Sequence, residues 1–243
     1  MRSAGRSNYG IDAPGVVRNL ALAAGAGALV AFLPFPSSPL VVAVQSGAFW
    51  IFISCAITSA IMLGGSLFFK LRLRDRVLES LNLRGDERIL DVGCGSGLLL
   101  VGAAKRLTSG RAVGIDRWQT VDQSGNSEAR TRANAQAEGV ADRIEIVTGD
   151  MRTLPFEDAS FEVVLSSWAI HNVPSAAGRA AAIDEIARVL APKGRALVVD
   201  IRCSSEYVRR FRERGIEAER SGPNFLFVTP TRIVRAQKPP SPA

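Results

Sequence analysis

Residues 19–69 contain no Asp, Glu, Lys, Arg or His, a run of 51 positions without an ionisable group of those kinds. A water-facing domain does not sustain such a run, because its surface needs charged side chains. The chain is also poor in cysteine. Cys55, Cys94 and Cys203 are far apart and form no C-x-x-C or Cys/His pair. That excludes a disulfide framework and a thiolate zinc site, and it fits a reducing compartment. There is one histidine, His171, and no cluster of residues with metal-ligand spacing, so no metal is expected. Only three Trp and two Tyr occur, too few for a base-stacking platform. The formal charge of +7 is spread along the chain rather than gathered in a stripe. Its concentrations lie beside apolar sequence and in the C-terminal tail, which points to a membrane surface rather than nucleic acid.

The charge-free run is split by LPFPSSPL at 33–40, where three prolines interrupt a helix and impose a turn. The flanks, 16–33 and 40–69, are about 18 and 30 residues long, and about 20 apolar residues span a bilayer. The second is the more hydrophobic. Arg2, Arg6 and Arg18 precede or open the first segment; Lys70, Arg72, Arg74 and Arg76 follow the second; the turn is uncharged. The positive-inside rule then puts both ends in the cytoplasm. Two rival readings are a cleaved signal peptide, which would export the remainder, and an apolar hairpin buried on the domain. Residues 1–15 read as a short basic N-terminus and 70–80 as a basic connector. Its cations are suited to anionic headgroups or to a solvated helix start.

From about residue 81 the pattern changes to short apolar runs alternating with helical stretches. RILDV, RAVGID, RIEIVTGD, FEVVLSS and RALVVDI read as strands. Residues 98–107, 123–139, 176–190 and 204–214 read as helices. That alternation predicts an α/β fold with a parallel sheet covered on both faces. GIEAERSG and NFLFVTP follow with no helix between them, so an antiparallel hairpin is expected at one edge. The domain is bounded at 81–230, with 231–243 as a basic, proline-rich tail.

The stretch DVGCGSG, residues 91–97, follows the first strand and opens the first helix of this domain. Ligands bind at such carboxyl ends of strands in open α/β sheets. Gly93, Gly95 and Gly97 make G-x-G-x-G, whereas the dinucleotide fingerprint puts its third glycine at 98, which is Leu. NAD is therefore disfavoured. Asp91 stands where a carboxylate can hold a cationic amino group. Asp116 ends the second strand at the spacing of a ribose-binding acid, and Asp150 ends the third beside Met151, suited to an adenine edge. Each acid alone could instead cap a turn. Three at successive strand ends beside one glycine loop make the stronger signal.

At these residues the sequence resembles the class I S-adenosylmethionine-dependent methyltransferases, from about 83 to 228. ILDVGCGSG is similar to the family's first motif and GID to its ribose acid. GDMRTLPFEDASFEVVLSSWAIHNV is similar to its adenine and fourth-strand region, and EIARVLAPKGRALVVD to the stretch into its fifth strand. LPFEDASFEVV is similar to the small-molecule branch that includes quinone-biosynthesis enzymes. The resemblance implies a Rossmann-like seven-stranded sheet whose last strand is antiparallel, and S-adenosylmethionine as cofactor. It implies cofactor contacts from Asp91, Gly93, Cys94, Gly95, Gly97, Asp116, Arg117, Asp150, Met151 and Ser167. Cys94 is expected as a small residue tolerated in a tight turn.

His171 follows the fourth strand where an acceptor would sit, and its ordinary pKa suits general-base work. Packing against the next helix is the alternative for it. Trp168 is expected either to shape the acceptor pocket or to fill the core. Together these readings predict a multi-pass, two-span membrane methyltransferase with its catalytic domain in the cytoplasm, acting on a small or lipid-like acceptor. The rival class is a nucleoside-binding membrane scaffold without turnover. Nothing in the sequence fixes the oligomeric state.

Overall fold

The computed structural model describes residues 7–36, 38–119, 126–225 and 229–241. Arg2 and Arg6, the start of the helix expected at 123–139, and the middle of NFLFVTP lie outside the described residues.

The two apolar segments form helices α1 (Pro14–Phe32) and α2 (Pro39–Gly64). Each starts with proline in its first turn, where the missing N–H and fixed φ are suited to the helix. Ser38 caps α2 by accepting from the Val41 N–H. The helices pack closely at Gly27, where a Cβ would lie 2.9 Å from the Ala48 carbonyl oxygen and from the Phe52 nitrogen. Their outer faces stay bare: Leu22, Phe32, Leu40 and Trp50 are all exposed. Both helices are long and apolar enough to cross a membrane. That exposure does not fit the buried-hairpin reading.

The expected connector at 70–80 is not a separate segment. The helix runs on from α2 through a π-helical turn, Gly65–Phe69, into α3 (Lys70–Glu79). No proline or capping residue interrupts it. Leu73, Val77 and Leu78 recur at helical spacing and are buried against the domain. Lys70 and Arg74 are also turned inward rather than toward headgroups, as their partners below show.

The domain carries strands β1 (Arg88–Val92), β2 (Arg111–Asp116), β3 (Ile144–Thr148), β4 (Phe161–Ser167), β5 (Leu190–Asp200), β6 (Glu217–Arg220) and β7 (Arg232–Gln237). Its helices are α4 (Leu98–Ala104), α5 (Glu128–Ala137), α6 (Ala176–Val189) and α7 (Ser204–Glu213). The sheet order is β3-β2-β1-β4-β5-β7-β6, parallel except for β7. Alternate strand residues divide two cores. Leu90, Val92 and Val164 pack toward α6 and α7, while Ile89, Val163 and Leu165 pack toward α3 and α4.

The edge differs from the expected hairpin. The partner of β6 is β7, in the segment assigned to the tail, and β7 inserts between β5 and β6. Val234 and Ala236 alternate inward with polar neighbours, which fits a strand with one buried face. The domain therefore extends past 230. Beyond β7, Lys238 Nζ donates to the carbonyls of Ala187 and Leu190 at 2.8 and 2.6 Å, capping the end of α6.

Candidate functional site

The order of strands reverses between β1 and β4, and the glycine loop sits at that switch, where loops from the two strands diverge and leave a crevice. Gly93, Gly95 and Gly97 have φ of 72, 51 and 84°, the left-handed region that L side chains rarely adopt. At Gly93 a Cβ would lie 2.3 Å from that of Ala169, and Met151 also stands over it. The loop is laced to β2, since the N–H groups of Gly93 and Cys94 donate to the Ile115 carbonyl at 2.8 and 3.2 Å. From α5, Thr131 donates to the Gly95 carbonyl at 2.6 Å. Asn134 donates to the Ser96 carbonyl at 2.8 Å.

The three acids stand in different electrostatic situations. Asp91 is buried on the α4 side; its Oδ2 accepts from the Leu100 N–H at 2.9 Å, and its Oδ1 is buried without a partner among the described residues. Desolvation pushes this carboxyl up to about 7, a rise the Leu100 bond opposes and the nearby Asp116 adds to. Asp116 is engaged by backbone, accepting from Gly95 at 2.8 Å and Trp118 at 2.7 Å. Asp150 is held by the Arg152 guanidinium at 2.6 Å and lies 3.4 Å from Arg117. The hydrogen bonds from Arg152 lower its carboxyl to about 2.

The Cys94 side chain packs into the core under the loop, although the residue borders the cavity. It is buried among the residues under the loop, and a Cβ at Gly114 would lie 2.9 Å from its Sγ. Burial raises its thiol well above the usual range, so it stays neutral. Only its backbone shapes the loop.

Beyond β4, Trp168 adopts φ 50° and donates its N–H to Val199 at 2.8 Å, which turns the chain back over the crevice. Three residues on, the His171 side chain is nine-tenths buried with Nδ1 2.5 Å from Asp200 Oδ1, a close contact not aligned as a hydrogen bond. Asp200 is itself buried. It accepts from Tyr207 Oη at 3.0 Å, from Ile201 N–H at 2.8 Å and from His171 N–H at 3.2 Å. This fixes His171 with Nδ1 inward, leaving Nε2 as the nitrogen for a ligand. Asp200 and Tyr207 were not singled out in the sequence; the only signal was an acid ending a fifth strand.

A further group was missed entirely. The segment before α1 crosses the domain as a strap. The Tyr9 carbonyl accepts from Ser96 Oγ at 3.2 Å and from Lys70 Nζ at 3.0 Å. Lys70 Nζ also donates to the Gly10 carbonyl and lies 3.4 Å from Asp12. Asn8 and Asn134 exchange two hydrogen bonds. Arg74, nine-tenths buried, pairs through Nε and Nη2 with Asp75, while its Nη1 has no partner among the described residues.

One cavity of about 730 Å³ unites these parts, within the range of about 300 to 1,000 Å³ that ligand sites occupy. Asp91, Gly93, Cys94, Gly95, Asp116, Arg117, Asp150, Met151, Ser167, Trp168 and His171 all line it. Gly97 is the exception among the predicted site residues; it shapes the loop from behind, where a Cβ would meet Thr131. The orphaned Asp91 oxygen beside the glycine loop fits a nucleoside bearing a cationic amino acid.

Fold and site together define an α/β domain of the class I S-adenosylmethionine-dependent type. Residues 90–198 match the Methyltransf_11 family model, described as a methyltransferase domain. That match spans a little under half of the chain, and the matched region is a methyltransferase domain of the kind that uses S-adenosylmethionine as cofactor. It is 32% identical over 127 residues to the ubiquinone/menaquinone biosynthesis C-methyltransferase UbiE of Roseobacter denitrificans, covering 52% of this chain and 47% of that protein. It is 34% identical over 129 residues to 27-O-demethylrifamycin SV methyltransferase of Amycolatopsis mediterranei, covering 53% and 44%. The chain thus spans a little under half the length of these curated relatives. Among solved structures, a SAM-dependent methyltransferase from Aquifex aeolicus superposes with a TM-score of 0.53 at 17% identity, covering 68% of this chain and 88% of that one. The [4+2]-cyclase SpnF superposes at 0.59 and 20%, covering 70% and 81%. Likeness at that level shows the fold and carries no reaction.

Proposed function

We propose that this protein methylates a small or lipid-like acceptor at the cytoplasmic face of a membrane, with α1 and α2 as two spans. The observation that carries the reading is a cavity lined jointly by the glycine loop, by His171 and by residues of the membrane-type helix α2. When bound, S-adenosylmethionine supplies an activated methyl group on a sulfonium sulfur. Asp91 Oδ1 then holds the cofactor's ammonium group and the Gly93–Gly95 backbone admits its methionine part closely. Asp116 takes the ribose hydroxyls on the lone pairs its amide partners leave free. Asp150 and Met151 border the adenine, with Arg117 and Arg152 holding the Asp150 carboxylate in place. Ser167 and Trp168 shape the methyl-transfer side.

The protein's chemical task is alignment of nucleophile, methyl carbon and sulfur, and most of the acceleration comes from that placement. Bound there, the cofactor would supply the methyl carbon to the acceptor atom, with the carbon–sulfur electron pair leaving on sulfur. A proton lost by the acceptor passes to His171 Nε2. Asp200 stabilises the resulting imidazolium. The quinone and rifamycin names of the relatives support a small-molecule acceptor.

Membranes containing the protein, incubated with methyl-labelled cofactor, should yield label in the lipid or small-molecule extract. Label found only in protein or nucleic acid refutes the acceptor class, and no label anywhere, despite cofactor binding, favours the scaffold reading. A reporter fused after Ala243 should be active only in its cytoplasmic form.

A further inference from the structure

The cavity has two ends. One is the cofactor end already described. Toward the other, its wall includes Leu73 and Val77 of α3, which pack on the domain, and then Ala13 of the strap with Ile61 and Met62 of α2. Ala13 and Ile61 are exposed, so the cavity reaches the surface there. Asp12, Ser66 and Lys70 at that end engage one another, and Arg74, which also lines the cavity, is paired with Asp75. Asp12 N–H donates to Ser66 Oγ at 3.0 Å, Ser66 Oγ donates to an Asp12 carboxylate oxygen at 3.2 Å, and Lys70 Nζ lies 3.4 Å from the other. What faces the mouth beyond them is apolar.

The depth of the mouth follows from helix geometry. Ser66 is level with Asp12, and Met62 and Ile61 lie four and five residues further into the charge-free run, about 6 to 8 Å along the helix. Arg18, exposed near the start of α1, donates to Asn19 Oδ1, and a long cationic side chain at this depth can extend to the headgroups. The opening therefore stands just inside the headgroup layer, where acyl chains begin.

We propose that this limb is the passage for an apolar tail on the acceptor. The reactive head group lies beside His171 and the tail runs out between Ala13, Ile61 and Met62 into the inner leaflet. The inference rests on the membrane-methyltransferase reading above and sharpens its substrate class to a molecule with an alkyl or prenyl chain that stays in the bilayer. In this arrangement α2 contributes to specificity and is more than a tether.

The test uses the full chain in lipid nanodiscs. The probes are nitrogen-for-sulfur analogues of S-adenosylhomocysteine carrying a methyl, butyl or dodecyl chain where the transferable methyl would be. Each is measured by displacement of labelled S-adenosylhomocysteine from wild type, Ile61→Trp and Met62→Trp. Partition of the long chain into lipid is the same in all three proteins and cancels in the comparison. A tryptophan that blocks the limb should weaken the dodecyl analogue about tenfold or more, the loss of roughly two buried methylenes. S-adenosylhomocysteine and the methyl analogue should bind unchanged, which also shows that the variants are folded. A diazirine at the tip of the dodecyl chain should label α2 near Ile61 or the surrounding lipid. Equal displacement by the dodecyl analogue in all three proteins, or labelling confined to the strand ends of the domain, overturns the passage. Failure of S-adenosylhomocysteine to bind wild type is a different result, one that removes the cofactor reading itself.

Discussion

Asp91→Asn is expected to move stability and cofactor binding in opposite directions, each with its own pH dependence. The Asp91 carboxyl titrates near 3.8 in an open chain and is pushed up to about 7 in the fold, chiefly by desolvation. Below pH 3.8 both states hold the proton. Between 3.8 and 7 the folded state keeps a proton that the unfolded state releases, so rising pH erodes stability across that window, and above 7 the deficit is constant. The shift sets an upper bound of about 4 kcal/mol on the deficit. The substituted amide can still accept from the Leu100 N–H and carries no charge, so the variant should gain a few kcal/mol at pH 8 and nothing at pH 4. The cost of burying its N–H donors reduces the gain. For the cofactor the order reverses. The ammonium group requires the ionised carboxylate, so wild-type affinity for S-adenosylhomocysteine should rise about tenfold per pH unit between 5 and 7 and then level. The variant lacks a charge-assisted bond worth about 1.5–3 kcal/mol, a loss of tenfold or more at pH 8, and its affinity should be flat with pH. Calorimetry across pH 5 to 8.5, with thermal unfolding in the same buffers, measures both. A pH-independent wild type, or a variant that binds equally well at pH 8, refutes the placement of the ammonium group.

Four further substitutions have definite expected outcomes. Gly93→Ala puts a Cβ 2.3 Å from that of Ala169 at φ 72°, so the loop must shift; cofactor affinity should fall sharply and the melting temperature with it. His171→Gln should lower kcat by about 10²-fold or more while S-adenosylhomocysteine binding stays within twofold, and Asp200→Asn should lower kcat less, also without loss of binding; a parallel loss of binding refutes the base assignment. Lys70→Met removes the cation that gathers the Tyr9 and Gly10 carbonyls and Asp12, so hydrogen exchange should rise in residues 7–13 and cofactor affinity should weaken through Ser96; unchanged exchange refutes the strap's dependence on Lys70.

Much of the domain was legible because its signals are local. FEVVLSS coincides with β4 residue for residue, and RILDV with β1, since alternating apolar runs bounded by turns leave little freedom. The edge was misread for the same reason. NFLFVTP is locally the more strand-like segment, yet RIVRAQ won the place between β5 and β6 by pairing with both. The connector was misread because a run of cations signals a membrane boundary, whereas Leu73, Val77 and Leu78 at helical spacing decide where the helix packs.

The sequence by itself determined that the chain has two long apolar helices, a glycine loop after a first strand and an acid at each of three strand ends, because each depends on neighbours within a few positions. Tertiary structure alone decided which acid is left with an open oxygen and which nitrogen of His171 is free. It also decided that α2 and the strap share a cavity with the glycine loop. Those outcomes depend on contacts between residues tens of positions apart: Asp200 with His171, Tyr9 with Ser96, Asp12 with Ser66. No local pattern encodes such a pairing, because it exists only once the sheet has closed and the desolvation of each group is fixed by what packs over it.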